Sequence, residues 1–169
     1  MMRETLVAAL LSAVLLGCTT NTARQSSPGM STRVAEVPPA LADNASGRDS
    51  LEPLIAYYAA KHNIPESLLH RVVTRESRYR PKARNGPYWG LMQIRHDTAR
   101  TMGYRGSASG LLDPATNMEY AGRYLRGAWL LANGSEKRAV RLYASGYYYV
   151  AKRRGMLCET GLRRCRDKD

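Results

Sequence analysis

Apolar positions fall into helical register from Leu51 onward and not before. Over Leu51–His62, Leu54, Ile55, Tyr58 and Ala59 recur at three- and four-residue spacing, which predicts a helix with one buried face. Ile64-Pro65-Glu66 starts a second helix, with proline in its first turn, that runs to about Glu76. Gly86-Pro87 marks a loop, and a third helix is predicted from Gly90 to Thr101. Gly103 to Gly110 reads as a Gly/Ser connection. Asp113-Pro114 then opens a long helix to about Leu131, with Asp113 as its N-cap. Ser135 caps a last helix through Arg153, with Glu136 in its first turn. No convincing strand is legible, and any β-hairpin has to be small and near Asn85 to Trp89. The expected fold class is therefore all-α, with at most a small β component. There is no internal repeat.

One polar residue breaks into this pattern. Leu69, Val72, Val73 and Glu76 stand at i, i+3, i+4 and i+7, so a carboxylate ends an apolar stripe while Arg71, Arg75 and Arg78 fall elsewhere. A carboxyl group held against apolar surface is harder to ionise and keeps its proton closer to neutral pH. That is the property needed in a general acid that breaks a glycosidic bond. The alternative is a surface glutamate paired with Arg75 or Arg78.

The flanking residues sharpen the reading. The chain runs Glu76-Ser77-Arg78-Tyr79-Arg80-Pro81-Lys82-Ala83 and then Gly90-Leu91-Met92-Gln93-Ile94. A Glu-Ser-x-aromatic-x-Pro-x-Ala segment followed by Gly-Leu-Met-Gln-Ile resembles the soluble lytic transglycosylase (SLT) domain, a lysozyme-like fold. The resemblance covers roughly Leu51 to Gly155. It implies a peptidoglycan enzyme that cleaves the β-1,4 bond between N-acetylmuramic acid and N-acetylglucosamine without water. Glu76 would first protonate the bridging oxygen and then, as a carboxylate, take the proton of the C6 hydroxyl, leaving a 1,6-anhydro sugar. Glycosidases usually need two carboxylates. Asp97, Asp113 and Glu119 are the other candidates here, and none has the local context of a nucleophile, which suits a single-acid mechanism. Two rivals stand beside it: a hydrolytic muramidase of the same fold, and a catalytically weak peptidoglycan-binding scaffold.

The same resemblance suggests which residues meet substrate. Gly90 permits close backbone approach at the cleft or begins a helix. Gln93 offers an amide to a sugar N-acetyl or hydroxyl group. Met92 and Ile94 fit core and cleft wall. Ser77 either orients Glu76 by a hydrogen bond or only ends the helix. Leu142-Tyr143-Ala144-Ser145-Gly146 resembles the family's Ala-Tyr-Asn-Ala-Gly segment, which places Tyr143 near the substrate N-acetyl group or the catalytic carboxyl. Ala144 stands where the family usually has Asn, and Arg95 where Met is common. Tyr143, Tyr147 and Val150 share a helix face that packs inward or lines the groove. Eleven Tyr and no Phe fit either aromatic stacking on sugars or tyrosine standing in for phenylalanine in the core.

Composition and termini locate the protein. The formal net charge is +12, which favours polyanions such as nucleic acid, anionic lipid or acidic cell-wall polymer. Residues 1–18 decide among these: Arg3 precedes the apolar run Leu6 to Leu16, too short to span a membrane, which reads as an export signal and argues against nucleic acid. Leu15-Leu16-Gly17-Cys18 resembles a bacterial lipobox, so Cys18 is the expected lipidation site, and Thr19 after it resembles lipoproteins sent to the outer membrane. Thr19 to Ser50, rich in Ser, Thr, Ala, Pro and Asn, reads as a disordered tether with a reach of roughly 30 Å. Cys158 and Cys165, with six residues between them in a basic tail (156–169), are expected to form a disulfide in an oxidising compartment. No metal or organic cofactor is implied. The expected protein is a monomer, lipid-anchored on the periplasmic face of a Gram-negative outer membrane, with glycan strands as its partner.

Overall fold

A computed structural model describes residues 47–165. The expected signal segment, Cys18 and nearly all of the expected tether lie outside these residues. Six helices and three very short strands follow in the order α1 (Arg48–His62), α2 (Glu66–Ser77), β1 (Arg84–Asn85), β2 (Tyr88–Trp89), β3 (Ile94–Arg95), α3 (His96–Thr101), a 3-10 turn (Ala108–Leu112), α4 (Pro114–Ala132), α5 (Glu136–Ser145) and α6 (Tyr148–Arg153). α4 packs against α1 and α5, and α2 against α1 and α5. The predicted stripes form the core between them. Leu51, Ile55, Leu68, Leu69, Val72, Val73, Leu125 and Leu131 are fully buried.

Helix ends follow local chemistry. The Asp113 carboxylate accepts the Thr116 N–H at 2.7 Å, and Ser135 Oγ accepts the Arg138 N–H at 3.3 Å, so both predicted caps are present. α1 begins at Arg48, three residues ahead of Leu51 and inside the expected tether. α2 ends in two successive left-handed residues, Arg78 (φ 52°) and Tyr79 (φ 60°). That conformation costs roughly 1–2 kcal/mol per non-glycine residue. The turn is secured from several sides. Arg78 N–H donates to Val73 O at 3.1 Å, the Tyr79 hydroxyl lies 3.0 Å from both Thr74 Oγ1 and His70 Nδ1, and Gly47 N–H donates to Tyr79 O at 3.2 Å. The N-terminus of α5 is tied to α2, where Glu136 accepts from Ser67 Oγ and from Arg71 Nε.

Two predicted helices are corrected. Gly90 to Thr101 is not one helix. Gly90 has φ +70° and Gln93 φ +48°, so the chain turns, forms β3 and only then enters α3. The segment buries Leu91, Met92 and Ile94 from a turn and a strand instead of from a helix face. It completes an antiparallel sheet of order β1-β2-β3, with Arg84 opposite Trp89 and Trp89 opposite Ile94. The β1–β2 hairpin sits at the predicted place. Ser135 to Arg153 is likewise two helices, broken where Gly146 adopts φ 80°, ψ 150°. Tyr143 and Tyr147 still pack inward, one on each side of the break, with both rings against Tyr124. Cys158 and Cys165 are joined in the structure, with their Cα atoms 4.9 Å apart.

Gly90 is demanded by two independent constraints. Its φ is left-handed, and a methyl group there would collide with Asn117 Nδ2 and Leu111 O. Gly90→Ala is therefore expected to cost about 2–4 kcal/mol, the sum of backbone strain and overpacking. Urea denaturation of both proteins would check this; a loss under about 0.5 kcal/mol contradicts it.

Candidate active site

Glu76 is the penultimate residue of α2, at the end of the apolar stripe, and its side chain is 22% exposed. Burial raises its pKa above the ordinary 4.5, and the neighbouring Arg75 opposes the shift. Arg75 Nε is 3.3 Å from Glu76 Oε1, but the arginine is half exposed, and an exposed pair of this kind contributes little. The negative end of the α2 dipole also disfavours a negative charge there. Desolvation wins, and the carboxyl is held toward its protonated form.

Glu76 looks into a groove whose three stretches share lining residues. One, of about 510 Å³, is lined by Glu76, Arg80, Lys82, Arg84, Asn85 and Gln93, with Ala83. The middle stretch brings Glu76 together with Arg75, Asn85, Tyr88, Gln93, Tyr143 and Ala144. The third continues past Tyr88, Ile94, Arg95 and Tyr124 to Gly146. Glu76 is the only carboxylate among the described residues lining any of the three. The other candidates are engaged elsewhere. Asp113 caps α4, Glu119 is clasped by Lys61 at 2.7 Å and by Arg123, and Asp97 is 80% exposed.

The loop opposite Glu76 is built from the Gly-Leu-Met-Gln segment. Met92 is fully buried; its N–H donates to Asn117 Oδ1 at 2.9 Å, and its carbonyl accepts the Tyr143 hydroxyl at 2.8 Å. Gln93 lines every stretch of the groove, yet its Nε2 donates to Ala83 O (3.1 Å) and Gly90 O (2.8 Å). Only its Oε1 is left to face a ligand. Tyr143 is buried against the groove, and burial, then the charge of Glu76, pushes its phenol pKa well up. Its hydroxyl is spent on Met92, so it offers a ring edge and a fixed wall.

Several site expectations are relocated. Ser77 is buried and donates to Val73 O at 3.3 Å, so it closes the helix and makes no hydrogen bond to Glu76. Gly90 is buried beneath the loop and lines no stretch of the groove; it permits close packing against Asn117, with no open face for a sugar. Met92 is core. Tyr147 is 1% exposed, stacks on Tyr124 at 4.5 Å and donates to Tyr124 O at 2.9 Å, so it belongs to the core and lines no part of the groove. Ala144 does line the groove, in the position where the resemblance expects an amide.

The sequence reading missed Asn117. Its amide donates to Trp89 O (2.9 Å) and Leu111 O (2.8 Å) while its oxygen accepts from Met92 N–H. It is fully buried, in step with Ala121, Leu125 and Ala128 on α4. The signal was of the same kind as at Glu76, one polar residue within an apolar stripe. Asn85 and Tyr88 were missed as lining residues because their place depends on the hairpin.

Residues 53–156 match the family model described as Transglycosylase SLT domain. No solved structure matches the chain significantly.

A raised glutamate pKa is a stability statement. The buried carboxyl favours the fold below the unfolded value and disfavours it as pH rises through the folded value. Glu76→Gln is therefore expected to be more stable than the parent at pH 7, with the difference fading below the ordinary value of 4.5. Thermal or denaturant melts at both pH values check this; a variant less stable at pH 7 contradicts it. Tyr143→Phe is expected to cost about 1–3 kcal/mol by orphaning the Met92 carbonyl, read in the same melts.

Proposed function

Because the chain belongs to the transglycosylase SLT domain family, whose members act on peptidoglycan, we propose that it is a lytic transglycosylase with Glu76 as its single acid and base. The observation that carries this is the lone, half-buried carboxyl in a groove otherwise lined by amides, tyrosines and cations. With no second carboxylate in the groove to activate water, the reaction that fits is one that uses none.

In that reaction Glu76 donates its proton to the oxygen bridging N-acetylmuramic acid and N-acetylglucosamine, and the C1–O4 bond breaks. The substrate's acetamido oxygen stabilises the oxocarbenium-like centre at C1. Glu76, now ionised, withdraws the proton from the C6 hydroxyl as O6 bonds to C1. The acid is restored, and the product is a 1,6-anhydromuramoyl end. Arg75 suits the second half, since it opposes the rise in pKa and so supports the carboxylate once formed. Gln93 Oε1 can accept from a sugar N–H or hydroxyl, and Tyr143 walls the opposite side.

The proposal extends to place. A lipid on Cys18 and a tether reaching to the start of α1 at Arg48 would hold a monomeric domain on the periplasmic face of the outer membrane. No helix among the described residues is long and apolar enough to cross a membrane.

Digestion of purified sacculi followed by mass spectrometry tests the chemistry. Soluble fragments one water lighter than reducing-end muropeptides are expected; full-mass reducing ends support a hydrolase, and no release supports a binding scaffold. Glu76→Gln is expected to lower release by roughly 100- to 10,000-fold, and unchanged release removes Glu76 from the mechanism. Because the protonated acid starts the reaction, activity is expected to fall as pH rises through the raised pKa of Glu76.

A further inference from the structure

The groove is charged unevenly. Arg80, Lys82 and Arg84 all line the stretch on one side of Glu76. Among the described residues, none of the three meets a carboxylate. Arg80 Nε donates to Ser77 O at 3.0 Å, and the Arg84 guanidinium lies 4.1 Å from the centre of the Trp89 ring. Lys82 has no hydrogen bond or ion pair among the described residues. The stretch on the other side, toward Gly146, carries one cation, Arg95, whose guanidinium reaches Asp97 at 3.9 Å. Three uncompensated cations in one concave wall repel one another and concentrate anions there. They do not serve Glu76, since Arg75 alone opposes the upward shift of its carboxyl.

The glycan itself gives these cations no partner. Its rings carry hydroxyl and acetamido groups, which are neutral. The negative charge of a peptidoglycan strand sits on the peptide stem that hangs from the lactyl group of muramic acid, with its side-chain and terminal carboxylates. We propose that the Arg80–Lys82–Arg84 wall is a subsite for the carboxylates of this stem, and that it makes the protein selective for stem-bearing strands. The inference rests on the glycan reading of the groove given above. It also fixes a place: the stem that is held lies on the β1 side of Glu76, where the three cations line the groove.

The test uses the purified full chain on two soluble substrates, stem-bearing glycan strands and the same strands after an amidase has removed the stems. The expected kcat/KM ratio between them is about tenfold at low salt, because exposed ion pairs are individually weak, and it shrinks as salt is added. In the triple variant Arg80→Gln, Lys82→Gln, Arg84→Gln the ratio is expected to collapse toward one, with Lys82→Gln alone giving a partial drop. Lys152→Gln, Arg153→Gln, Arg164→Gln makes the same charge change outside the groove and is expected to keep the ratio. A triple variant that retains the preference overturns the proposal. So does an equal loss in the control, which would show only the general attraction of a basic chain for polyanions. Binding of both strands to the Glu76→Gln protein, read by sedimentation, separates the two hypotheses. If the parent cleaves neither strand, the enzymatic reading fails while the stem preference is still measured, and equal binding of the two strands overturns it.

Discussion

The carboxamide of Asn117 is the constraint on which the groove depends. Two stretches of chain meet at it: the run from the end of β2 into the Gly-Leu-Met-Gln loop, and the 3-10 turn before α4. Each contributes a buried main-chain group that would otherwise be orphaned, and such groups are costly without a partner. Gly90 must lack a side chain for the amide to come this close. The loop is gripped again by Tyr143 from α5 and by the amide of Gln93 folded back on its own turn. The wall opposite Glu76 is thus a main-chain structure fixed by three side chains.

That rigidity matters for the acid. Glu76 sits at the end of a helix, where the backbone already disfavours negative charge, and its only close cation is half exposed. A solvated or mobile wall would let water reach the carboxyl and cancel the desolvation that raises its pKa. Burial against this wall is what raises the pKa of the carboxyl. Stability is sacrificed locally for this, and the tightly packed faces of α2, α4 and α5 supply what is lost.

How far the sequence foretold this depends on whether the relevant interactions are local. α2 and α4 were legible because their apolar stripes and caps are read within a few residues, and Glu76 stood out against such a stripe. No strand was legible, and Gly86-Pro87 marked only a loop, although β1 and β2 lie where any hairpin had to be, near Asn85 to Trp89. The Gly90–Thr101 segment was misread as one helix because the turn it adopts is imposed by Asn117, 25 residues from Met92. The break at Gly146 was hidden because Tyr143, Tyr147 and Val150 keep helical spacing across it. With it went the expected role of Tyr147, whose ring is drawn to Tyr124 instead. Gln93 was identified as a groove residue, but its amide is consumed by the backbone. Its left-handed conformation, which turns the side chain onto Ala83 and Gly90, leaves no local signature.

The double left-handed turn after α2 has a mechanical corollary. Gly47, the residue before α1, is hydrogen-bonded to Tyr79, and Tyr79 lies three residues beyond Glu76. Force arriving along the polypeptide ahead of Gly47 is therefore delivered first to the hinge that terminates the acid-bearing helix. The start of α1 and the end of the acid-bearing helix thus share one main-chain hydrogen bond, and a displacement of either loads the other.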